Sequence, residues 1–156
     1  AQGGAVIDER VTADFHLSEF VHSDAGDRAG LDNTPPPDVL AVLKSVLIPG
    51  MQSVRTVLGT RVLISSGYRS PPVNALVRGA YNSQHVTGHA CDFRAPAFGS
   101  PRDVARRLIS AMDRLKFDQL IWEGTWVHIS FAPRPRCQVL TASFKDGRAS
   151  YTQGIA

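Results

Sequence analysis

Apolar residues recur at helical spacing from Asp38 onward, with Val39, Leu40, Leu43, Val46 and Leu47 on one stripe. Pro49 and Gly50 interrupt the stripe. Met51, Val54, Val57 and Leu58 resume it, and Gly59 supplies a stop. This pattern predicts two helices, or one kinked helix, from about 37 to 58. Upstream, "FHLSEFVHSD" reads as a short N-terminal segment. Asn33 and Thr34 are cap-type residues, and the prolines after them suit a first helical turn.

Downstream, "RVLISS" is a short β-rich run closed by "GYRSPP". "PVNALVRG" reads as a third helical stretch, and "HACDFRA" as a strand. "SPRDVARRLISAMDRL" is the clearest helix. Ser100 caps it, Pro101 takes its first position, and Val104, Leu108, Ala111, Met112 and Leu115 form its inner face. Three strands follow: "DQLIW", "TWVHISF" and "QVLTASF". "KDG" at 145–147 is a turn signal, and "RASYT" closes a hairpin. Helices followed by mostly consecutive strands predict an α+β fold, with a central antiparallel sheet and helices packed on one side. No repeat or low-complexity tract marks a second domain. The expectation is a single domain over 1–156, with 1–13 an extended N-terminal segment.

The 156 residues are enough to bury a core without disulfide staples. The longest apolar stretch, "VLAVLKSVLIPGM", is broken by Lys44, Ser45 and Pro49, so no membrane insertion is expected. "AQGGAVIDER" lacks the basic-then-apolar order of a secretory signal. Either no such signal is used or one is removed ahead of this sequence. The net charge of +3 suits anionic partners such as nucleic acid or bacterial wall polymers. The basic residues are scattered, however, without the aromatic-interleaved stripe of a single-strand binder, so no nucleic-acid partner is expected. Cys91 and Cys137 could form at most one bridge, and no C-x-x-C knuckle is present.

The candidate chemistry is concentrated in "NSQHVTGHACDFRAP" at 82–96. A catalytic zinc commonly uses three protein ligands and keeps a fourth position open. His85 and His89 are four apart, as on a helix face, but Gly88, Thr87 and Val86 are poor helix formers. If 89–93 is a strand, His89, Cys91 and Phe93 point one way, and Ala90 and Asp92 the other. A turn at Gly88 would then bring His85 back to Asp92. Spacing leaves His85/His89 and His85/Asp92 as near equals. His128 in "TWVHISF" offers a third ligand, although a lone strand histidine is more often a packing residue. Glu123, in the loop before it, could serve as a general base. Arg69, in "SSGYRSPPVN", could hold a carboxylate or an oxyanion, or simply close its loop. Ser83 and Gln84 are cap or substrate-binding candidates.

Taken in order, "SGYRSPPVN", "SQHVTGHACDF" and "WVHISF" resemble the zinc peptidase family of D-alanyl-D-alanine carboxypeptidases. That family includes vancomycin-resistance dipeptidases and L-alanyl-D-glutamate endopeptidases of phage lysis systems, and hedgehog signalling domains share its fold. "FHLSEFVHSD", "DNTPP" and "FDQLIWE" further resemble a small single-domain subgroup common in phages and prophages. The likeness runs over roughly residues 14 to 131. It implies one zinc ion held by His85, Asp92 and His128, and so decides against His89 and Cys91. The zinc would acidify a water and polarise the scissile carbonyl. It implies Arg69 beside the oxyanion or the substrate carboxylate. Tyr68, Ser83 and Gln84 are the further candidates for substrate contact. One position departs from the family: its base often lies three residues before the last histidine, which is Thr125 here. Thr125 cannot take a proton at neutral pH, so Glu123 is the expected base.

The expected function is hydrolysis of a peptide bond in the stem or cross-bridge of peptidoglycan, by a phage or prophage endolysin acting as a monomer on the cell wall. The alternatives are a D-Ala-D-Ala carboxypeptidase of wall metabolism and a catalytically silent zinc-containing binding or virion module.

Overall fold

The computed structural model describes residues 8–156. The expected extended segment at 1–13 therefore falls partly outside the described residues. From 8 onward the chain folds back on itself: Arg10 bridges His16, Leu17 N–H donates to the Glu9 carbonyl, and Val11 packs on the core. Two short helices follow, α1 (Ser18–Val21) and α2 (Asp24–Ala29). Ser23 caps α2 and Gly30 ends it in the left-handed conformation. The sequence pattern marks this stretch only as a short N-terminal segment, because neither helix is long enough to show a period.

The interrupted stripe is one continuous helical run. α3 (Pro37–Val42) passes through a π-helical segment, Leu43–Leu47, into α4 (Ile48–Leu58). Pro49 has no N–H and its ring crowds the carbonyl four residues back, so the helix widens ahead of it rather than breaking. Leu43, Leu47, Ile48, Met51 and Val54 are fully buried along this run. α5 (Pro71–Leu76) is capped by Ser70. α6 (Pro101–Ser110) begins with a capping box between Ser100 and Asp103. It breaks at Ala111 before one further turn, α7 (Met112–Leu115).

Six strands form one sheet in the order β1-β2-β4-β3-β5-β6. They are β1 (Leu63–Ser66), β2 (Ala90–Arg94), β3 (Gln119–Trp122), β4 (Val127–Ser130), β5 (Gln138–Lys145) and β6 (Arg148–Gln153). Four of the pairings are antiparallel, as expected, but β3 and β5 run parallel. The sheet is therefore mixed. Local patterning does not reveal this, because the 131–137 connection carries the chain back before β5 begins. Asp146 and Gly147 both have positive φ and close the β5–β6 hairpin in two residues, as the Asp-Gly pair requires.

Strand alternation gives the sheet two different faces. Cys91, Phe93, Leu120, Val127 and Ile129 point into the core, which α4 and α6 cover. On the opposite face, Asp92 lies directly across from His128, and His128 from Ile121. This second face is the floor of an open cleft of about 570 Å³.

Gly67 follows β1 where the chain passes under α1, and Tyr68 N–H donates to the Phe20 carbonyl at 2.7 Å. A Cβ on Gly67 would strike the Phe20 backbone, with Cα only 2.8 Å away. Gly67→Ala is expected to cost about 2 kcal/mol, a fall of roughly 4–8 °C in a thermal melt of a domain this size. An unchanged melting temperature would show that this contact is not tight.

Candidate metal centre and active site

The end of β1 is irregular. Its register with β2 shifts between Ile64 and Ser66, and the displaced Ser65 donates its hydroxyl to the Asp92 carbonyl at 3.2 Å. Beyond β1, the Gly67 carbonyl points at His85 and accepts a bond from its Nδ1 at 2.7 Å. The other ring nitrogen, Nε2, faces Asp92 Oδ1 at 3.3 Å. His128 Nδ1 reaches the same oxygen at 3.1 Å. The two imidazole rings are 5.1 Å apart.

His85 comes from a non-helical turn at 83–88, which Ser83 Oγ supports by accepting the His85 N–H. Gly88 closes this turn with φ +82, and a side chain there would meet Val39 on α3. The turn thus brings His85 onto Asp92 while leaving His89 outside. His89 instead bonds Thr87 through its ring and lies away from the cleft. Cys91 is fully buried on the core side, where burial pushes its thiol well above the ordinary range. Cys91 and Cys137 are both free, so the bridge considered from sequence is not formed.

Burial alone would raise the Asp92 carboxyl. The charge of His85 and the bonds from His128 and His85 outweigh it and hold the group well below the usual carboxylate range. Its side chain is only 15% exposed. A buried, ionised carboxylate between two imidazoles is a fit donor set for zinc. The three ligand atoms lie within 4.8 Å of one another, and among the described residues no other such group of three occurs.

Glu123 and Arg69 line the same cleft. Glu123 sits in the tight turn before β4, where Gly124 adopts φ +76. Its carboxylate accepts from Trp126 Nε1 at 2.6 Å. Burial, then the charge of Asp92, raises its pKa above the ordinary glutamate value. Thr125, at the position where the base often lies in the resembled family, is exposed. The Arg69 guanidinium is half-buried without a hydrogen-bonded partner among the described residues, and its Nε is fully enclosed. Burial lowers its pKa.

Ser83 and Gln84 also line the cleft. Tyr68 does not. It is 3% exposed and belongs to the core, because the chain turns at Gly67 and aims the ring inward. As a substrate contact, Tyr68 is corrected to a packing residue. Sequence reading missed Asp118 and Arg136. Asp118 is almost fully buried and accepts from Arg136 Nε and Nη2 at 3.0 and 2.8 Å and from Gln84 Nε2 at 2.9 Å. It ties the segment before His85 to the Arg136 wall of the cleft. The only local signal is an aspartate inside the strand-like run "FDQLIW", where a charge is out of place unless paired.

Two imidazoles and a carboxylate beneath an open cleft, with a further carboxyl group beside them, define a metal-dependent hydrolase. The family comparison agrees and is narrower. The model for Peptidase M15 matches residues 13–130, about three quarters of the chain. The chain belongs to the M15 peptidase family, and it is a zinc metallopeptidase. Among curated proteins none matches it.

The Arg136 bonds, the bond from Gln84 and the charge of Arg136 hold the Asp118 carboxyl at about 2, against an ordinary 3.8. A depressed carboxyl stabilises the fold above its unfolded pKa and loses that effect as pH falls through the folded value, here by about 2 kcal/mol. Asp118→Asn should therefore lower unfolding free energy by about that amount at neutral pH, and the gap should close between pH ~4 and ~2. Denaturant melts across that range check it, and a gap independent of pH would contradict it.

Proposed function

We propose that the chain is a peptidase of the bacterial cell wall, cutting a peptide bond in the stem or cross-bridge of peptidoglycan. The observation that carries this reading is the convergence of four groups on one open cleft: His85, Asp92 and His128 at its floor, and Glu123 beside them. In this reading zinc is held by His85, Asp92 and His128, and when bound it supplies Lewis acidity toward the scissile carbonyl and toward a water.

The chain's own residues handle the proton and the charge. Glu123 takes a proton from the attacking water as its oxygen bonds to the carbonyl carbon. It then delivers that proton to the leaving nitrogen as the C–N bond breaks, giving a carboxylate and an amine. Trp126 Nε1 holds one carboxylate oxygen and so fixes its direction. Arg69, half-buried and without a hydrogen-bonded partner among the described residues, stabilises the negative charge that develops on the carbonyl oxygen. Ser83 orients His85 through the backbone, and Gln84 lines the substrate side of the cleft.

The small single-domain form, similar to the phage subgroup, favours an endopeptidase over an enzyme that closes on a free terminus. A phage or prophage lysis role rests on the likeness of "FHLSEFVHSD", "DNTPP" and "FDQLIWE" to that subgroup. The protein would then act on the wall as a monomer.

Purified muropeptides should be cleaved by the zinc-loaded protein and left intact after chelation, with mass spectrometry of the products naming the bond. Glu123→Gln should retain zinc and lose about 10²–10⁴ in kcat. A zinc-containing protein that leaves every wall fragment intact would instead be a binding module. Full activity in Glu123→Gln would remove Glu123 from the mechanism.

A further inference from the structure

The catalytic groups occupy only part of the cleft. One of its walls is the β5–β6 hairpin, which lies beyond the region matched by the family, since the match ends at residue 130. Register places Ala142 opposite Tyr151 and Phe144 opposite Ala149, so these four side chains share one face. The pairing of Ile121 with both Leu140 and His128 makes that face continuous with the one bearing Asp92 and His128. Phe144, Ala149 and Tyr151 line the cleft together with Trp126.

These aromatic rings are under-used by the fold. Phe144 is 54% exposed and Tyr151 52% exposed, although both stand on the inner wall of a cleft. The Trp126 ring lies 6.1 Å from that of Phe144, tilted by 37°. Trp126 is in turn held by Glu123. Ala149 sits across from Phe144 and two residues before Tyr151, so a small side chain lies beside each of the two exposed rings. The result is an apolar slot leading from the turn that carries Glu123. The facing wall carries the charges of Arg78 and Arg136, together with the smaller apolar side chains of Val77 and Ala80.

We propose that Trp126, Phe144, Ala149 and Tyr151 form a side-chain subsite that sets specificity, and that it takes a long aliphatic side chain on the peptide residue beside the scissile bond. This inference rests on the peptidase reading. An unbranched alkyl chain matches the slot: it lies flat against ring faces, fits the gap left by Ala149, and covers apolar surface that otherwise faces water. The slot's continuity with the catalytic floor puts its occupant next to the bond being cut.

The test uses the zinc-loaded full chain and two synthetic peptides with the same scissile bond, one with norleucine and one with alanine at the adjoining position. The wild type should show kcat/KM about tenfold higher for the norleucyl peptide. In Phe144→Ala/Tyr151→Ala the ratio between the two peptides should fall towards one. Ala149→Leu, which fills the slot without removing a ring, should do the same. Both rings are half-exposed, so thermal melts should confirm that the variants fold. A wild-type ratio near one, or a tenfold ratio that persists in both variants, would overturn the proposal. If neither peptide is cut, the peptidase reading fails separately, and fluorescence titration of Trp126 still reads the slot. Tenfold tighter binding of the norleucyl peptide supports it, and equal binding overturns it.

Discussion

Asp92 is the constraint on which the rest of the site depends. Removing a carboxylate from water costs several kcal/mol unless its oxygens are paired. Here one oxygen is shared by His85 and His128. That arrangement requires β2 and β4 to pair in a single register, with Asp92 across from His128. A slip of one residue would turn Asp92 into the core and Cys91 or Phe93 out to solvent. The burial of Cys91, Phe93, Val127 and Ile129 on the other face forbids that slip. The hydrophobic core thus sets the register, and the register sets the donor set.

His85 reaches Asp92 by a different route. It stands on a turn rather than a strand, so nothing in the sheet holds it. Its support comes from the Gly67 carbonyl, from Ser83 and from the left-handed Gly88 packed against α3. Each contact lies at the end of an element otherwise built for packing. Two of the three candidate ligands therefore stand on the sheet, and the third depends on the contacts around its turn. The same division runs through the cleft. Its floor is sheet, one side is the turn-rich 78–85 segment, and the other is the hairpin beyond the matched family region.

Much of this was legible in the sequence, because periodicity and capping are local. The α6 boundaries follow from Ser100 and Pro101, the hairpin from Asp146-Gly147, and the helical run of 37–58 from its apolar stripe. Strand alternation put Asp92 and Cys91 on opposite faces, as observed, and leaned towards His85 with Asp92; spacing alone left His85/His89 as an equal rival. What escaped was non-local. The parallel β3–β5 pairing depends on where a loop returns, and the π-helical segment on how Pro49 is accommodated. Tyr68 stands beside Arg69 in the same motif, but side chains at successive positions need not share a direction. Asp118 and Arg136 are eighteen residues apart and meet only in the fold.

The central claim is that His85, Asp92 and His128 hold the ion and that His89 and Cys91 do not. Zinc content after equilibrium dialysis, measured for the wild type and for alanine variants at each of these five positions, tests it most directly. The account predicts about one zinc per chain in the wild type, in His89→Ala and in Cys91→Ala, with loss of the ion in the other three. Retention of zinc by His85→Ala together with its loss from His89→Ala would contradict it.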